Sequence, residues 1–361
     1  MKSLPKTMRA MVTMGHGGLD QMVLHEDWPT PKVQAGEVLI RVGACGLNNT
    51  DVNTRSGWYS KAVTERTTGE AFEDVSEADP TWGGKPITFP RIQGADVCGQ
   101  IIAVGEGISK TRIGQRVITD NWLRDESDPL NMDKTGYFGS ERNGGFAEYT
   151  TIPAVNAIAV SSGFSDAELA TFSCSYSTAE GMLARADVGP EDTVLVPGAS
   201  GGVGGALVQL AKRRGARVIA MASEAKHADV ALLGPSIILP RSPRDIRHAL
   251  GREKVTVVAD IVGGDYWPNL IDVLERGGRY TCSGAIAGPM VALDLRTFYL
   301  RDLTFTGSTV IAPEVTAKLV EYIETGQINP VLAATYPLAD LREAQTAFIE
   351  KQHTGNIVVI P

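Results

Sequence analysis

Several features that would assign a function at once are missing from this chain of 361 residues. Its four cysteines are far apart and form no CxxC pair, so we expect reduced thiols and neither a disulfide framework nor a structural zinc site. No run approaches the roughly 20 apolar residues of a membrane helix, and the first residues lack the apolar core of a secretory signal. We therefore predict a cytoplasmic protein that does not enter a membrane.

Excess positive charge is also missing. Lys and Arg number 34 against 42 Asp and Glu, a net charge of -8, which offers no electrostatic footprint for nucleic acid. Hydrophobic residues at 43% and charged residues at 21% are typical of globular proteins. The chain exceeds the length at which one hydrophobic core usually stops growing, so we expect about two domains. We expect the partner to be a small-molecule substrate and not a nucleic acid.

The spacing of apolar residues changes once along the chain. From Arg9 to about Thr150, short apolar runs are interrupted by Gly and Pro, a pattern typical of an antiparallel barrel or sandwich. After about Ala157, apolar strands alternate with glycine-rich turns and amphipathic helices, which predicts a parallel sheet with helical crossovers. In this part we expect strands at 236–239, 255–261, 278–283 and 304–307, helices at 267–275 and 313–325, and a final helix followed by one strand.

The segment from Val194 to Lys212 places a strand, the turn GASGGVG and a helix in direct succession. Small residues at Ala199, Gly201 and Gly204 follow a dinucleotide-binding fingerprint, in which the backbone approaches a pyrophosphate at a helix N-terminus. The alternative is a turn that only packs a helix on a sheet. We expect the cofactor to be bound by the turn residues Ser200, Gly201, Gly202, Val203 and Gly204.

The end of the next strand bears on the choice between NADPH and NADH. NAD sites carry an acidic residue there, for the ribose 2′-hydroxyl. Here Ser223 stands in that region, and Lys226 and Arg241 follow within reach of a 2′-phosphate. NADPH is therefore the predicted cofactor, and NADH stays the alternative because Glu224 is close by.

The sequence resembles the medium-chain dehydrogenase/reductase superfamily, in particular its zinc-free quinone oxidoreductase-like branch. The resemblance covers nearly the whole chain. It is carried by Ala44-Cys-Gly-Leu-Asn-Asn-Thr-Asp, Arg55-Ser-Gly-Trp-Tyr, Gly94-Ala-Asp-Val-Cys-Gly, Gly144-Gly-Phe-Ala-Glu-Tyr, the GASGGVG turn, Asp260-Ile-Val-Gly-Gly and Gly355-Asn-Ile-Val-Val.

This resemblance implies an α/β architecture with two domains. A GroES-like β-barrel domain is expected at 1–157 and 325–361, and a Rossmann domain at 158–324, with the active site between them and a homodimer as the assembly. The resemblance also implies that Thr178, Val262, Ala285 and Ile286 line the cofactor. Asn356 replaces a lysine that is frequent in the family, which removes one possible phosphate contact.

The ligand set of the family's zinc enzymes is incomplete here. The positions that match it hold Asn48, Ala95 with Asp96, and Cys174. A catalytic zinc normally has three protein ligands of Cys, His or carboxylate type, so we predict no metal site. Whether Asp96 and Cys174 hold any metal stays open. If Cys174 binds no metal, we expect it to be a small buried side chain of the core.

In zinc-free members, the residues that match Asn48 and Tyr59 face the nicotinamide. Asn48 can donate a hydrogen bond to an acceptor oxygen, and Tyr59 can donate a hydrogen bond or a proton. Thr50 matches a proton-relay hydroxyl of the alcohol dehydrogenases. The structural alternatives are a turn for Asn48, a backbone cap for Thr50 and a domain-edge aromatic for Tyr59. We expect His353 at the surface.

Three functions are compatible with the sequence. The first is a zinc-free NADPH reductase of a quinone, enone or 2-enoyl compound, because hydride addition to a conjugated carbonyl needs only polarisation and a proton. The others are a metal-dependent alcohol or aldehyde dehydrogenase and a nicotinamide-binding protein without catalysis. A polar insertion at about 60–85 follows Tyr59, and it is either a wall of the substrate pocket, with Phe72 and Trp82 as contacts, or a surface loop.

Overall fold

The structure is a computed structural model that describes residues 4–72, 75, 84 and 86–361. Trp82, one of the two aromatic residues assigned above to the insertion, lies outside this range. Among the described residues, no helix has the length and apolar character needed to cross a membrane.

Strands occur in both halves of the chain. In chain order they are β1 (Thr7–Thr13), β2 (Met22–Pro29), β3 (Glu37–Gly46), β4 (Asp96–Val104), β5 (Arg116–Thr119), β6 (Trp122–Leu123), β7 (Gly136–Tyr137), β8 (Tyr149–Pro153), β9 (Ala157–Ala159), β10 (Thr193–Pro197), β11 (Arg217–Ala222), β12 (Ile237–Pro240), β13 (Val255–Asp260), β14 (Leu274–Cys282), β15 (Thr304–Gly307), β16 (Leu332–Pro337) and β17 (Asn356–Ile360).

The helices are concentrated in the second half. They are α1 (Asn49–Ser56), α2 (Asp166–Leu169), α3 (Ser173–Arg185), α4 (Gly202–Arg213), α5 (His227–Leu232), α6 (Ile246–Leu250), α7 (Trp267–Asp272), α8 (Leu295–Leu300), α9 (Val315–Glu324) and α10 (Leu341–Glu350).

The first half, together with the last two strands of the chain, builds a seven-stranded sheet in the order β16-β17-β3-β4-β5-β9, with β8 paired to β3. Its pairs are antiparallel except for β16 with β17. Apolar side chains such as Ile40, Phe138 and Phe146 fill the core on this sheet. The last strand of the chain thus returns to β3, and the predicted GroES-like architecture is confirmed.

The second half builds a six-stranded parallel sheet in the order β12-β11-β10-β13-β14-β15. Successive side chains of β10 point to opposite faces, as a strand requires. Val194 and Val196 pack with α3, α4 and α9, whereas Leu195 packs with α6 and α7. The chain reverses its direction of growth between β10 and β13, where folds of this Rossmann type bind ligands at the carboxyl edge. The predicted Rossmann fold is confirmed.

Element ends differ from the prediction most clearly between α7 and β14. The helix expected at 267–275 ends at Asp272, and the strand expected at 278–283 begins at Leu274. The cause is an irregularity in β14, which pairs Leu274 with Val255 and then Arg279 with Val257. Gly277 in between has a φ of 74°, a conformation that glycine adopts readily. The second expected helix, at 313–325, runs from Val315 to Glu324.

The domain boundaries stay a prediction. Strand β9, at Ala157–Ala159, spans the expected boundary at 157/158 and pairs with β5 in the seven-stranded sheet. The other expected boundary, at 324/325, falls directly after α9.

Candidate active site

The glycine-rich turn connects the carboxyl end of β10 to α4. Gly198 has a φ of 68°, and Gly201 precedes the helix in an extended conformation. A Cβ added at Gly204 would lie 2.1 Å from the carbonyl oxygen of Gly198. Only a residue without a side chain allows α4 to approach the strand this closely, so Gly204 serves the packing of the turn.

The first of two cavities at this sheet edge, here called the cationic cavity, has a volume of about 170 Å³. Most of the predicted cofactor residues line it: Ser200, Gly201, Gly202, Val203, Ser223, Lys226, Arg241, Val262 and Ile286. Basic side chains therefore meet the glycine turn at one site, as the NADPH prediction requires. Gly204 is not among the lining residues.

The end of the chain closes this cavity. The amide of Gly355 donates to the Ser200 carbonyl at 2.8 Å, and the Lys226 Nζ donates to the carbonyl oxygens of Lys351 and His353, both at 2.6 Å. A lysine ammonium has three donors, so one remains for a ligand. His353 lines the cavity and is half-buried, so part of it is still exposed, as expected.

Asn356 lies beneath the turn and lines the second cavity described below, not the cationic cavity. It is buried, and its Nδ2 donates to the Ser175 Oγ at 3.0 Å. A Cβ at Gly202 would come within 2.6 Å of this nitrogen. Asn356 therefore packs against the first residue of α4, which explains why a short amide is accommodated at this position.

A second cavity of about 160 Å³, here called the aromatic cavity, adjoins the first and shares Asn49, Gly202, Val203, Ile261, Ile286 and Phe348 with it. Asn48, Thr50, Tyr59, Thr178 and Ala285 line it, so the predicted catalytic residues face the predicted nicotinamide contacts. The aromatic residues of its wall are Trp58, Tyr59, Trp122, Tyr137 and Phe348.

Tyr59 is positioned by the end of α1. The helix stops at Gly57, whose φ of 79° turns the chain, and the buried Arg55 guanidinium binds Gln345 and the carbonyl oxygens of Gly17 and Gly69. Tyr59 is 37% exposed, and its hydroxyl hydrogen bonds to the side chain of Asn53. Burial of that hydroxyl raises the pKa of Tyr59, so the phenol stays protonated and can donate at neutral pH.

Asn48 and Thr50 stand at the start of α1. The Asn48 amide is buried and lowers the pKa of Asp96, but its Nδ2 falls short of hydrogen-bond geometry with any described residue. The Thr50 Oγ1 also has no hydrogen-bond partner among the described residues. Buried polar groups normally find partners, so both are donors available to a ligand.

The residues at the zinc positions do not fit a catalytic metal. Asp96 Oδ1 accepts hydrogen bonds from the Asn121 Nδ2 at 2.8 Å and the Cys174 amide at 2.9 Å, and burial raises the Asp96 pKa to about 7. Burial and the charge of Asp96 raise the pKa of the Cys174 thiol, whereas zinc binds a thiolate. Nowhere in the described ranges do three His, Cys, Asp or Glu side chains converge as a metal site would require.

The insertion crosses from α1 to the parallel sheet. The Trp58 indole donates to the Glu65 carbonyl at 2.9 Å, and the Thr67 amide donates to the Ile286 carbonyl at 3.0 Å. Its described part therefore bridges the two sides of the aromatic cavity. Phe72 is not among the residues that line this cavity.

Sequence reasoning missed several residues of the site, among them Asn49, Trp122, Tyr137, Phe348 and Lys351. Trp122 and Tyr137 are paired across β6 and β7 with ring centres 5.0 Å apart. No local pattern marks them, because distant segments bring them to the cavity. A larger groove of about 900 Å³ lies beside α4, between Lys212 and Asn329, and no residue predicted for the site lines it.

Two family models match the chain. The alcohol dehydrogenase GroES-like domain matches residues 34–162, and the zinc-binding dehydrogenase model matches residues 202–325. Together they cover parts of both sheets and of the cavities between them.

Among solved structures, a candidate alcohol dehydrogenase from Sinorhizobium meliloti 1021 is 44% identical, with all of this chain and 98% of that chain covered and a TM-score of 0.90. An NAD-dependent alcohol dehydrogenase from Sulfolobus acidocaldarius is 24% identical over 88% of this chain and 90% of its own length. A chloroplastic NADPH-dependent alkenal/one oxidoreductase from Arabidopsis thaliana is 26% identical over 99% of this chain and 81% of its own. The chain therefore belongs to the medium-chain dehydrogenase/reductase superfamily of oxidoreductases.

Proposed function

We propose that this oxidoreductase uses NADPH to reduce a conjugated acceptor, a quinone, an enone or a 2-enoyl compound, without zinc. One observation carries the proposal. The aromatic cavity joins the glycine turn to Asn48 and Tyr59, while the zinc positions beside it hold hydrogen-bonded Asp96 and a protonated Cys174.

The residues that line the cationic cavity match the chemistry of a dinucleotide. The cavity's backbone at Gly201 and Gly202 lies open to the space, and its basic side chains match phosphate groups. When bound, the cofactor supplies a hydride to the acceptor carbon. Thr178 and Ala285 would hold the nicotinamide, since both line the adjoining aromatic cavity.

The chain's own part in the reaction is to polarise the acceptor and deliver a proton. The Asn48 amide donates a hydrogen bond to the acceptor oxygen, where negative charge develops. The Tyr59 phenol, held by Asn53, donates a second hydrogen bond or the proton itself. Water that enters when the product leaves would return that proton to Tyr59.

Preference for NADPH is supported by charge. Lys226 and Arg241 line the cationic cavity, and no Asp or Glu stands among its described lining residues. Glu224, the residue that made NADH an alternative cofactor, does not line the cationic cavity. The Arabidopsis relative carries NADPH in its name, whereas the Sulfolobus relative carries NAD.

The test is NADPH oxidation by chelator-treated protein against quinones, enones and a 2-enoyl thioester, with NADH in parallel. Turnover that survives chelation and prefers NADPH supports the proposal. Activity restored only by zinc, with alcohols as substrates, would establish the metal-dependent alternative. Tight NADPH binding without turnover on any acceptor would indicate a binding protein.

We also propose a homodimer formed through β15. This strand ends the parallel sheet, and no described strand pairs with its outer side. An unpaired edge invites a further strand. Large exposed apolar side chains lie in the segment that precedes it: Met290, Leu295, Tyr299 and Leu300.

A cytoplasmic location, suggested by four free thiols, stays a prediction.

A further inference from the structure

The cationic cavity collects positive charge, and Asp229, whose charge acts on Lys226, is not among the residues that line it. Lys226, Arg241 and Lys351 line it, and none of its described lining residues is acidic. Burial and then the charge of Lys226 lower the pKa of Lys351 to about 7. Burial and then the charge of Arg241 lower the pKa of Lys226. Cations that repel one another in this way are stabilised when an anion enters.

Lys351 occupies an unusual backbone position. It follows the last residue of α10 with a φ of 54°, a left-handed conformation in which glycine is the common residue after a helix. A lysine here has a free-energy cost that glycine would avoid. Non-glycine residues held in this region are concentrated at functional sites.

The side chain of Lys351 is directed to the junction of the two cavities. Its Nζ donates to the Asn49 Oδ1 at 3.1 Å and lies 3.5 Å from the centre of the Phe348 ring. Asn49 and Phe348 line both cavities. Lys351, like Lys226 and Arg241, lines the cationic cavity and not the aromatic one, but its side chain contacts two residues that line both.

A dinucleotide bound across both cavities would bring its diphosphate close to this junction. Gly202, the first residue of α4, also lines both cavities, so a helix N-terminus meets the same space. We propose that Lys351 binds the diphosphate that NADH and NADPH share, and that Lys226 and Arg241 serve the 2′-phosphate of NADPH. This inference rests on the proposed cofactor site.

The test measures dissociation constants of NADPH and NADH by isothermal titration calorimetry at pH 6.5. Lys351→Met removes the charge and keeps the length of the side chain. We expect this variant to bind NADPH and NADH more weakly by the same factor, about tenfold or more, since a charged hydrogen bond is lost. Arg241→Gln is the matched control and should lower the affinity for NADPH but not for NADH.

Lys351→Gly separates binding from folding. Glycine suits the left-handed position, so this variant should melt no lower than the wild-type protein and still lose affinity for NADH and NADPH alike. Lys351→Arg should retain binding.

Unchanged affinity in both Lys351→Met and Lys351→Gly would overturn the inference. A loss confined to NADPH would also overturn it, because that result places Lys351 at the 2′-phosphate. If the wild-type protein bound neither nucleotide, the proposed function itself would fail, and the inference with it.

Discussion

Gly204→Ala tests how closely α4 approaches the glycine turn. The new Cβ would lie 2.1 Å from the Gly198 oxygen and 2.8 Å from the Ala199 Cα, both backbone atoms. Neither can rotate away, so the helix would have to withdraw by roughly 1 Å. Overpacking of this kind costs about 3 kcal/mol, and the better helix propensity of alanine offsets about 1 kcal/mol of it.

The expected net loss is therefore about 2 kcal/mol. For a unit of 150–250 residues this lowers the melting temperature by roughly 4–8 °C, which differential scanning calorimetry can measure. NADPH affinity should fall as well, because the N-terminus of α4 moves with the helix.

Gly201→Ala is the matched control in the same turn. Gly201 has a φ of -84°, and the nearest atom to its added Cβ would be the Gly198 oxygen at 3.7 Å. Its stability should therefore change by no more than about 1 kcal/mol. Since Gly201 lines the cationic cavity, NADPH affinity should still fall, by about tenfold. If Gly204→Ala melted like the wild type, the close approach of helix and strand described here would be wrong.

Three further outcomes are expected. Tyr59→Phe should lower kcat in steady-state assays by about 10²- to 10⁴-fold at unchanged melting temperature, whereas the control Tyr336→Phe should not. A kcat equal to that of the wild type would show that Tyr59 does not deliver the proton. NADH affinity, measured calorimetrically, should fall as pH rises above about 7, because Lys351 is then largely neutral and must gain a proton before it binds the diphosphate. The affinity of Lys351→Met for NADH should not change with pH. If it changed as in the wild type, Lys351 would not be the source of the pH dependence. Leu295→Glu should shift light-scattering mass from dimer to monomer, unlike Leu232→Glu on α5, and a wild-type monomer would contradict the proposed assembly.

The parts of the site that could be predicted depend on local sequence. The glycine turn is one contiguous segment, and its chemistry follows from the spacing of residues without side chains. Asn48, Thr50 and Tyr59 lie within twelve residues of each other, and the resemblance assigned them together. The structure brings all three to the aromatic cavity, although their catalytic roles stay predictions.

The parts that were missed depend on distant segments. Lys351 reaches Asn49 only because β17 pairs with β3, across most of the chain. Trp122 and Tyr137 meet through two strands of two residues each, too short to give a periodic pattern. Similarly, the early start of β14 at Leu274 follows from pairing with β13, which no local propensity encodes.

Under the proposed zinc-free function, the residues at the metal positions limit the chemistry that the site can perform. A zinc ion would supply positive charge beside the substrate and stabilise an alkoxide. In its place, Asp96 is held by an amide and a backbone N–H, its raised pKa of about 7 favours partial protonation, and Cys174 keeps its proton. The site thus offers hydrogen-bond donors and little net charge. Donors of this kind suffice for an enolate forming on a conjugated carbonyl, whose charge is delocalised, and they stabilise a localised alkoxide poorly.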